Sequence, residues 1–125
     1  MRSTKLLVGL VAGVLLLVLL SNYAPAQDPA AVNAKTVSVK LDNDRVRVLE
    51  SVLGPGEREQ LHSHPANVLY VIKGGKIRNH TADGKATEAD LKPGQVFYRD
   101  PITHWAENIG TTTVHVVIGE FKKSR

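Results

Sequence analysis

The sequence predicts an all-β domain, a small barrel or sandwich of about nine or ten short strands. Apolar and polar residues alternate over short stretches, as in 37–41 and 46–52. Turn signals separate these stretches at intervals of about ten residues. The signals are Gly54-Pro55-Gly56, Gly74-Gly75, Asp83-Gly84 and Pro93-Gly94. After the N-terminal leader, no stretch repeats its apolar residues with the period of a helix.

The first 26 residues are typical of a secretory signal peptide. Arg2 and Lys5 form a positive region, residues 6–20 are apolar and uncharged, and Ala24-Pro25-Ala26 supplies the small residues that signal peptidase recognises. The alternative is an uncleaved anchor, but the run 6–20 is shorter than the roughly 18 to 20 residues that cross a bilayer. We therefore predict cleavage after Ala26 and a periplasmic or secreted protein with no membrane attachment.

The rest of the chain has room for one small domain. The net charge of +4 falls to +2 when Arg2 and Lys5 leave with the leader. Basic residues are scattered and aromatic residues are few, so we predict no nucleic-acid partner. Because the chain has no cysteine, any metal must bind to nitrogen or oxygen, and a thiol nucleophile is excluded.

The predicted domain begins at residue 37. Residues 27–36 show no clear period, and we interpret them as a flexible lead-in or an added edge strand. Alternation predicts strands over 37–41 and 46–52, with a turn at 42–44 between them. After Gly54-Pro55-Gly56, a polar strand leads to His64, and Pro65 marks a bend or a sheet edge.

Further strands follow at similar intervals. Residues 68–72 are apolar and predict a fully buried strand. Asp83-Gly84 predicts a hairpin between strands over 76–81 and 85–91. A strand over 95–98 comes next, and the β-branched run 112–121 completes the sheet. The domain therefore covers 37–121, with 122–125 as a C-terminal tail.

Histidines carry the only catalytic chemistry that the sequence suggests. His62 and His64 share one face of an extended segment, because successive side chains alternate. Two imidazoles on one strand form half of a metal site, and His104, after a later turn and strand, is the candidate third ligand. The alternative is that the three rings line a polar barrel mouth without metal. No Ser-His-Asp order, phosphate-binding loop or carboxylate pair stands out.

Around the first two histidines the sequence resembles the cupin family. The first cupin motif runs Gly, five residues, His-x-His, three or four residues, Glu, six residues, Gly. Gly56, His62, His64 and Gly75 match it. The resemblance extends over 37–121 and implies a single cupin-type β-barrel, the double-stranded β-helix or jelly roll, of the type-2 superfamily.

The second cupin motif follows in the right order. It runs Gly, then Pro, then His, three residues and Asn, and it is matched by Gly94, His104 and Asn108. The spacing before His104 is slightly short, and Pro101 is out of register. The resemblance implies that His104 binds metal together with His62 and His64.

One departure from the motif concerns the metal-binding Glu. Counting from His64 puts Val68 in its place, whereas aligning on the strand 67–74 puts Asn67 there. The resemblance then points to cupins that hold metal with three histidines, several of which are iron dioxygenases, or to a cupin that has lost its metal. The predicted cofactor is a divalent ion of Fe, Zn, Ni, Mn or Cu. Without the carboxylate the ion keeps its full charge, which favours a small anionic substrate.

Other polar residues near the motifs are candidates for contact with a ligand. Gln60, Tyr70 and Tyr98 are predicted to contact substrate, and Arg58 is a candidate partner for an anion. His80, beside a hairpin, is predicted to be exposed. His115, in an apolar run, is predicted to be a core histidine bonded to backbone.

Three functions remain open from the sequence. The first is an exported, metal-dependent dioxygenase or isomerase that acts on a small anion. The second is a cupin that binds a metal or small ligand without turnover. The third is a metal-free barrel that forms a homodimer. The partners expected are a small-molecule ligand and a second copy of the chain.

Overall fold

The computed structural model describes residues 27–124, so the predicted signal peptide lies outside the described residues. A short helix, α1, is followed by nine strands that form two sheets. The elements are α1 Pro29–Val32, β1 Val37–Asp42, β2 Val46–Leu53, β3 His62–His64, β4 Asn67–Lys73, β5 Gly75–Thr81, β6 Ala86–Leu91, β7 Val96–Arg99, β8 Ile102–Asn108 and β9 Val114–Phe121. Within 27–124, no helix is long and apolar enough to span a membrane.

All strand pairs are antiparallel. One sheet has five strands in the order β1-β2-β9-β4-β7, and the other has four in the order β3-β8-β5-β6. The predicted all-β fold is confirmed, and so is the hairpin at Asp83-Gly84, where Gly84 adopts a φ of 86° that suits a tight turn. Because consecutive strands often lie in different sheets, residues far apart in sequence meet between the sheets.

The apolar core lies on the inner face of the five-stranded sheet. Strand β9 shows the cause: its residues alternate, so that Val114, Val116 and Ile118 point inward and are buried. Each such side chain contributes about 1.5 to 3 kcal/mol when fully buried. The same alternation places Glu120 on the inner face, at the end where the histidines lie.

The segment 27–36, expected as a flexible lead-in or an edge strand, contains helix α1. Asp28 caps it, since its carboxylate accepts a hydrogen bond of 2.8 Å from Ala30 N–H, and Pro29 occupies the first turn. Four residues are too few to show a helical period, which explains why the sequence pattern did not predict it. Asn33, just after the helix, is buried against Gln60 and His62.

Candidate metal centre

The three predicted ligands meet between the sheets. His62 on β3 is the register partner of His104 on β8, and His64 follows two residues later on the same face. The ring of His62 lies 4.8 Å from that of His64 and 4.7 Å from that of His104, measured between centroids. One nitrogen from each ring lies within 4.8 Å of the other two, and all three side chains are buried.

Each ring is oriented through its Nδ1 atom. His62 Nδ1 donates to the Gln60 carbonyl at 2.7 Å, and His64 Nδ1 donates to Glu120 Oε2 at 2.6 Å. His104 Nδ1 donates to Asn79 Oδ1. Because a carbonyl, a carboxylate and an amide oxygen only accept, the proton of each neutral ring lies on Nδ1. All three Nε2 atoms are therefore left with a free lone pair.

The Nε2 atoms have no satisfactory partners within the described part of the chain. His62 Nε2 and His64 Nε2 are 3.0 Å apart, and two lone pairs repel at that distance unless a cation lies near both. His104 Nε2 is buried and has no hydrogen-bond partner among residues 27–124. Such buried, unsatisfied acceptors are costly, and a metal ion with His ligands satisfies them.

Burial keeps the three rings neutral. It lowers the pKa of His62 and of His64, and together with the charges of the neighbouring rings and Arg99 it lowers the pKa of His104 to about 2. A neutral imidazole is the form that binds metal, so no proton has to be displaced first. The donor set and its protonation fit a divalent transition metal.

The carboxylate of Glu120 supports His64 from behind. It is buried, and Arg47 Nη1 lies 3.9 Å from its second oxygen. A carboxylate bonded to the non-ligating nitrogen of a histidine fixes the ring and strengthens the ligand. Glu120 was not predicted from the sequence, although it continues the alternation of Val114, Val116 and Ile118 along the apolar strand β9.

Replacing Glu120 with Gln is expected to weaken Zn²⁺ binding about 10- to 100-fold. The amide still accepts the Nδ1–H bond but no longer carries the negative charge that makes His64 a stronger ligand. Calorimetric titration of the metal-free protein measures the change. Glu50→Gln is the matched control, since that carboxylate faces outward near His115. Equal affinity in wild type and Glu120→Gln would exclude this role.

Neither candidate for the missing Glu offers a metal ligand. Asn67 faces inward and is fully buried, but its Oδ1 accepts a bond of 2.8 Å from Arg99 Nε and its Nδ2 donates to the Pro65 carbonyl at 2.8 Å. Val68 lies on the opposite face of β4 and has no ligand atom. The three histidines are therefore the whole protein donor set at this site among residues 27–124.

A cavity of about 320 Å³ opens beside His64 and His104. Its walls are mostly apolar and come from both sheets. Two charged residues also line it, Glu59 and Arg99, and neither was predicted. Glu59 Oε1 accepts a bond of 3.0 Å from Ala106 N–H, and burial raises the pKa of its carboxyl group. Asn79, which orients His104, lines the same cavity.

The predicted substrate contacts lie in different places. Tyr98 lines the cavity, although 64% of its surface is exposed. Tyr70 is 47% exposed and points away from the cavity, on the outer face with its register partner Val96. Gln60 is exposed, and the group it offers to the site is its main-chain carbonyl. Strand β3 begins at His62, so the alternation that would place Gln60 on the face of His62 does not extend back to it.

Three other expectations need correction. Arg58 lies outside the cavity, paired with Glu107 at 3.2 Å and packed over Trp105. His80 is half-buried and stacks on the same indole at 3.7 Å. His115 faces outward, with Nε2 3.6 Å from a Glu50 oxygen, because it alternates with the core residues of β9.

Two antiparallel sheets that enclose a histidine cluster between them are the arrangement that the resemblance to cupins implies. No family model matches the sequence, and no curated protein matches it. Solved structures are similar. A cupin domain from Bordetella pertussis shares 27% identity over 70% of this chain and 92% of its own, with a TM-score of 0.64.

Two further structures support the same fold. A conserved protein with a double-stranded β-helix domain from Klebsiella pneumoniae shares 26% identity over 66% of this chain and 67% of its own, with a TM-score of 0.52. An RmlC-like cupin family protein from Methanocaldococcus jannaschii shares 20% identity over 80% of this chain and 91% of its own, with a TM-score of 0.54. The chain thus has the cupin fold with a possible three-histidine metal site.

Proposed function

We propose that this protein is an exported small cupin that holds one divalent metal ion through His62, His64 and His104 and acts on a small anionic substrate. The observation that carries the proposal is the convergence of three Nε2 lone pairs whose rings are all fixed through Nδ1. Export rests on the leader-like sequence of residues 1–26.

The chemistry follows from the number of ligands. His62, His64 and His104 would hold the ion and leave coordination positions open, and a bound ion would supply Lewis-acid chemistry there. The protein holds the rings in place, keeps them neutral and surrounds the open side with apolar walls. Glu59 lines the cavity and burial favours its protonated form, so we propose it as the group that exchanges a proton with a substrate. A dioxygenase or an isomerase is the class of enzyme that we propose.

Metal content is the first test. We expect about one equivalent of metal per chain after the purified protein is reloaded with a divalent ion and freed of excess by dialysis, because the site offers one set of three ligands. Elemental analysis measures it. The variant with all three ligands replaced by Ala is expected to hold none, and His115→Ala, a histidine on the outer face, is the control and should load like the wild type.

The results separate the three functions. Metal together with oxygen consumption or isomer formation, in a panel of small carboxylates and diketones, supports the enzyme. Metal without turnover of any compound supports a binding protein. A protein that takes up no metal and sediments as a dimer supports the third function, which the exposed apolar residues of the outer face favour. These residues include Tyr70, Ile72, Val96 and Phe121.

A further inference from the structure

Arg99 is a buried cation with an incomplete set of partners. It ends β7, where it is the register partner of Asn67, so its side chain enters the cavity. Its Nε donates to Asn67 Oδ1 at 2.8 Å, and Asn67 is itself held by the Pro65 carbonyl. Its Nη2 atom is buried and has no hydrogen-bond partner among residues 27–124. The guanidinium is thus fixed at one end and unsatisfied at the other.

The charge of Arg99 is also poorly balanced. Burial disfavours the charged guanidinium and lowers its pKa, and within the described part of the chain the charges of Glu59 and Glu120 oppose this effect through space. Glu120 is already bonded to His64. Removing a cation from water costs free energy that an anion in hydrogen-bonding contact offsets. The unsatisfied end of Arg99 therefore has the properties of an anion-binding group.

A bound metal ion would increase this need for an anion. The ion and Arg99 together would bring three positive charges to the site, and Glu120 supplies one negative charge. The carboxyl group of Glu59 is shifted toward its neutral form by burial. A ligand with a negative charge next to Arg99 would reduce the remaining excess of positive charge at the site.

The cavity restricts the size and the polarity of such an anion. Its volume of about 320 Å³ lies at the lower end of the range for small-molecule sites. Most of its lining is apolar, including Leu53, Leu69, Phe97, Val116 and Ile118. A phosphate would need several more polar partners, whereas a single carboxylate matches the planar fork of one guanidinium.

We propose that Arg99 binds the carboxylate of a small carboxylic acid with an apolar body, and so directs the carbon next to that carboxylate toward the three histidines. The position of that carbon opposite a metal ion rests on the proposed function. The contact with Arg99 does not, because its unsatisfied Nη2 is present in the protein itself.

Binding of two nearly identical probes tests the proposal. Butanoate and butanamide have the same size and apolar body, but butanoate alone carries a negative charge. We expect Zn²⁺-loaded wild-type protein to bind butanoate about 10- to 100-fold more tightly than butanamide in calorimetric titrations, as for a hydrogen bond between charged groups. Arg99→Met should reduce this preference to about twofold, and Arg99→Lys should retain part of it because the charge remains.

Controls separate this proposal from the metal site. Arg45→Met removes an exposed arginine from the turn between β1 and β2 and should leave the preference unchanged. The zinc content of every variant is measured in parallel. If zinc does not bind but metal-free protein still prefers butanoate through Arg99, the metal function fails and this proposal stands.

Two results would overturn the proposal. One is equal binding of butanoate and butanamide by the wild-type protein. The other is a folded, zinc-loaded Arg99→Met variant that keeps the full preference, since the metal alone would then hold the carboxylate. If Arg99→Met does not fold, NMR of the wild-type protein decides: the side-chain N–H signals of Arg99 should shift with butanoate and stay in place with butanamide, and equal responses would contradict the proposal.

Discussion

Adding Zn²⁺ to the metal-free protein is expected to raise its free energy of unfolding by about 4 kcal/mol when the free ion is at about 1,000 times its dissociation constant. The reason is that His62, His64 and His104 are brought together only by the fold, so the folded state binds the ion and the unfolded chain has no assembled site. Denaturation with urea, with and without the ion, measures the gain.

Single substitutions show whether the gain in free energy of unfolding comes from metal binding to the three histidines. His64→Ala should remove most of it, since two histidines remain and the carboxylate of Glu120 loses its partner. His80→Ala is the matched control, because its ring stacks on Trp105 outside the cavity, and it should keep the full gain. A gain that survives His64→Ala would mean that Zn²⁺ stabilises the protein from another site.

Acidification of the metal-free protein is expected to cause the second large effect, a steep loss of stability below about pH 6.5. The pKa of each of the three histidines is lowered in the folded state, that of His104 to about 2, whereas the unfolded chain has the ordinary value of 6.5. The unfolded state therefore binds more protons, and acid favours it. Stability is complete above pH 6.5 and is lost as the pH falls toward the folded-state values.

The magnitude follows from the number of protons. Each histidine that is charged only in the unfolded state contributes about 1.4 kcal/mol per pH unit to the change in stability. His104, whose folded-state pKa is about 2, contributes this slope, and the lowered pKa values of His62 and His64 add to it in the same direction. Glu59 acts in the opposite direction: its pKa is raised above 4.5 by burial, so its contribution is present below pH 4.5 and is lost as the pH rises. One carboxyl group does not offset three imidazoles.

Urea denaturation from pH 8 to pH 4.5, in the presence of a chelator, tests this prediction. The slope of the free energy of unfolding against pH should fall by about 1.4 kcal/mol per pH unit in His104→Gln, which removes one titrating ring. A free energy of unfolding that is constant between pH 6.5 and pH 5 would contradict the neutral state of the three histidines. It would mean that the Nε2 atoms of His62 and His64, 3.0 Å apart, already share a proton.

Much of the site could be predicted from short patterns. The alternation of side chains is a local property of an extended chain, so the common face of His62 and His64 needs no knowledge of the fold. The order of turn signals and histidines led to His104 and to the cupin fold. The same reasoning failed for Tyr70, because the face of β4 that lines a cavity depends on which sheet covers it.

Contacts across strands lay beyond such patterns. Glu120 reaches His64 from 56 positions away along the chain, and Arg99 reaches Asn67 through the register of β4 and β7. Register and sheet order result from the packing of both sheets together, and no short pattern encodes them. For this reason Arg58, which is nearer to the histidines in the sequence, was predicted as the partner of an anion, and Arg99 was not.

The amino-acid sequence by itself determined the all-β class, the turns and the three histidines, because these follow from alternation and turn chemistry within a few residues. The tertiary structure alone decided which nitrogen of each ring is free, and that Arg99 enters the cavity in place of Arg58. These properties depend on atoms that meet only after the strands have paired. Because the residues concerned lie far apart in the chain, local physical rules do not connect them.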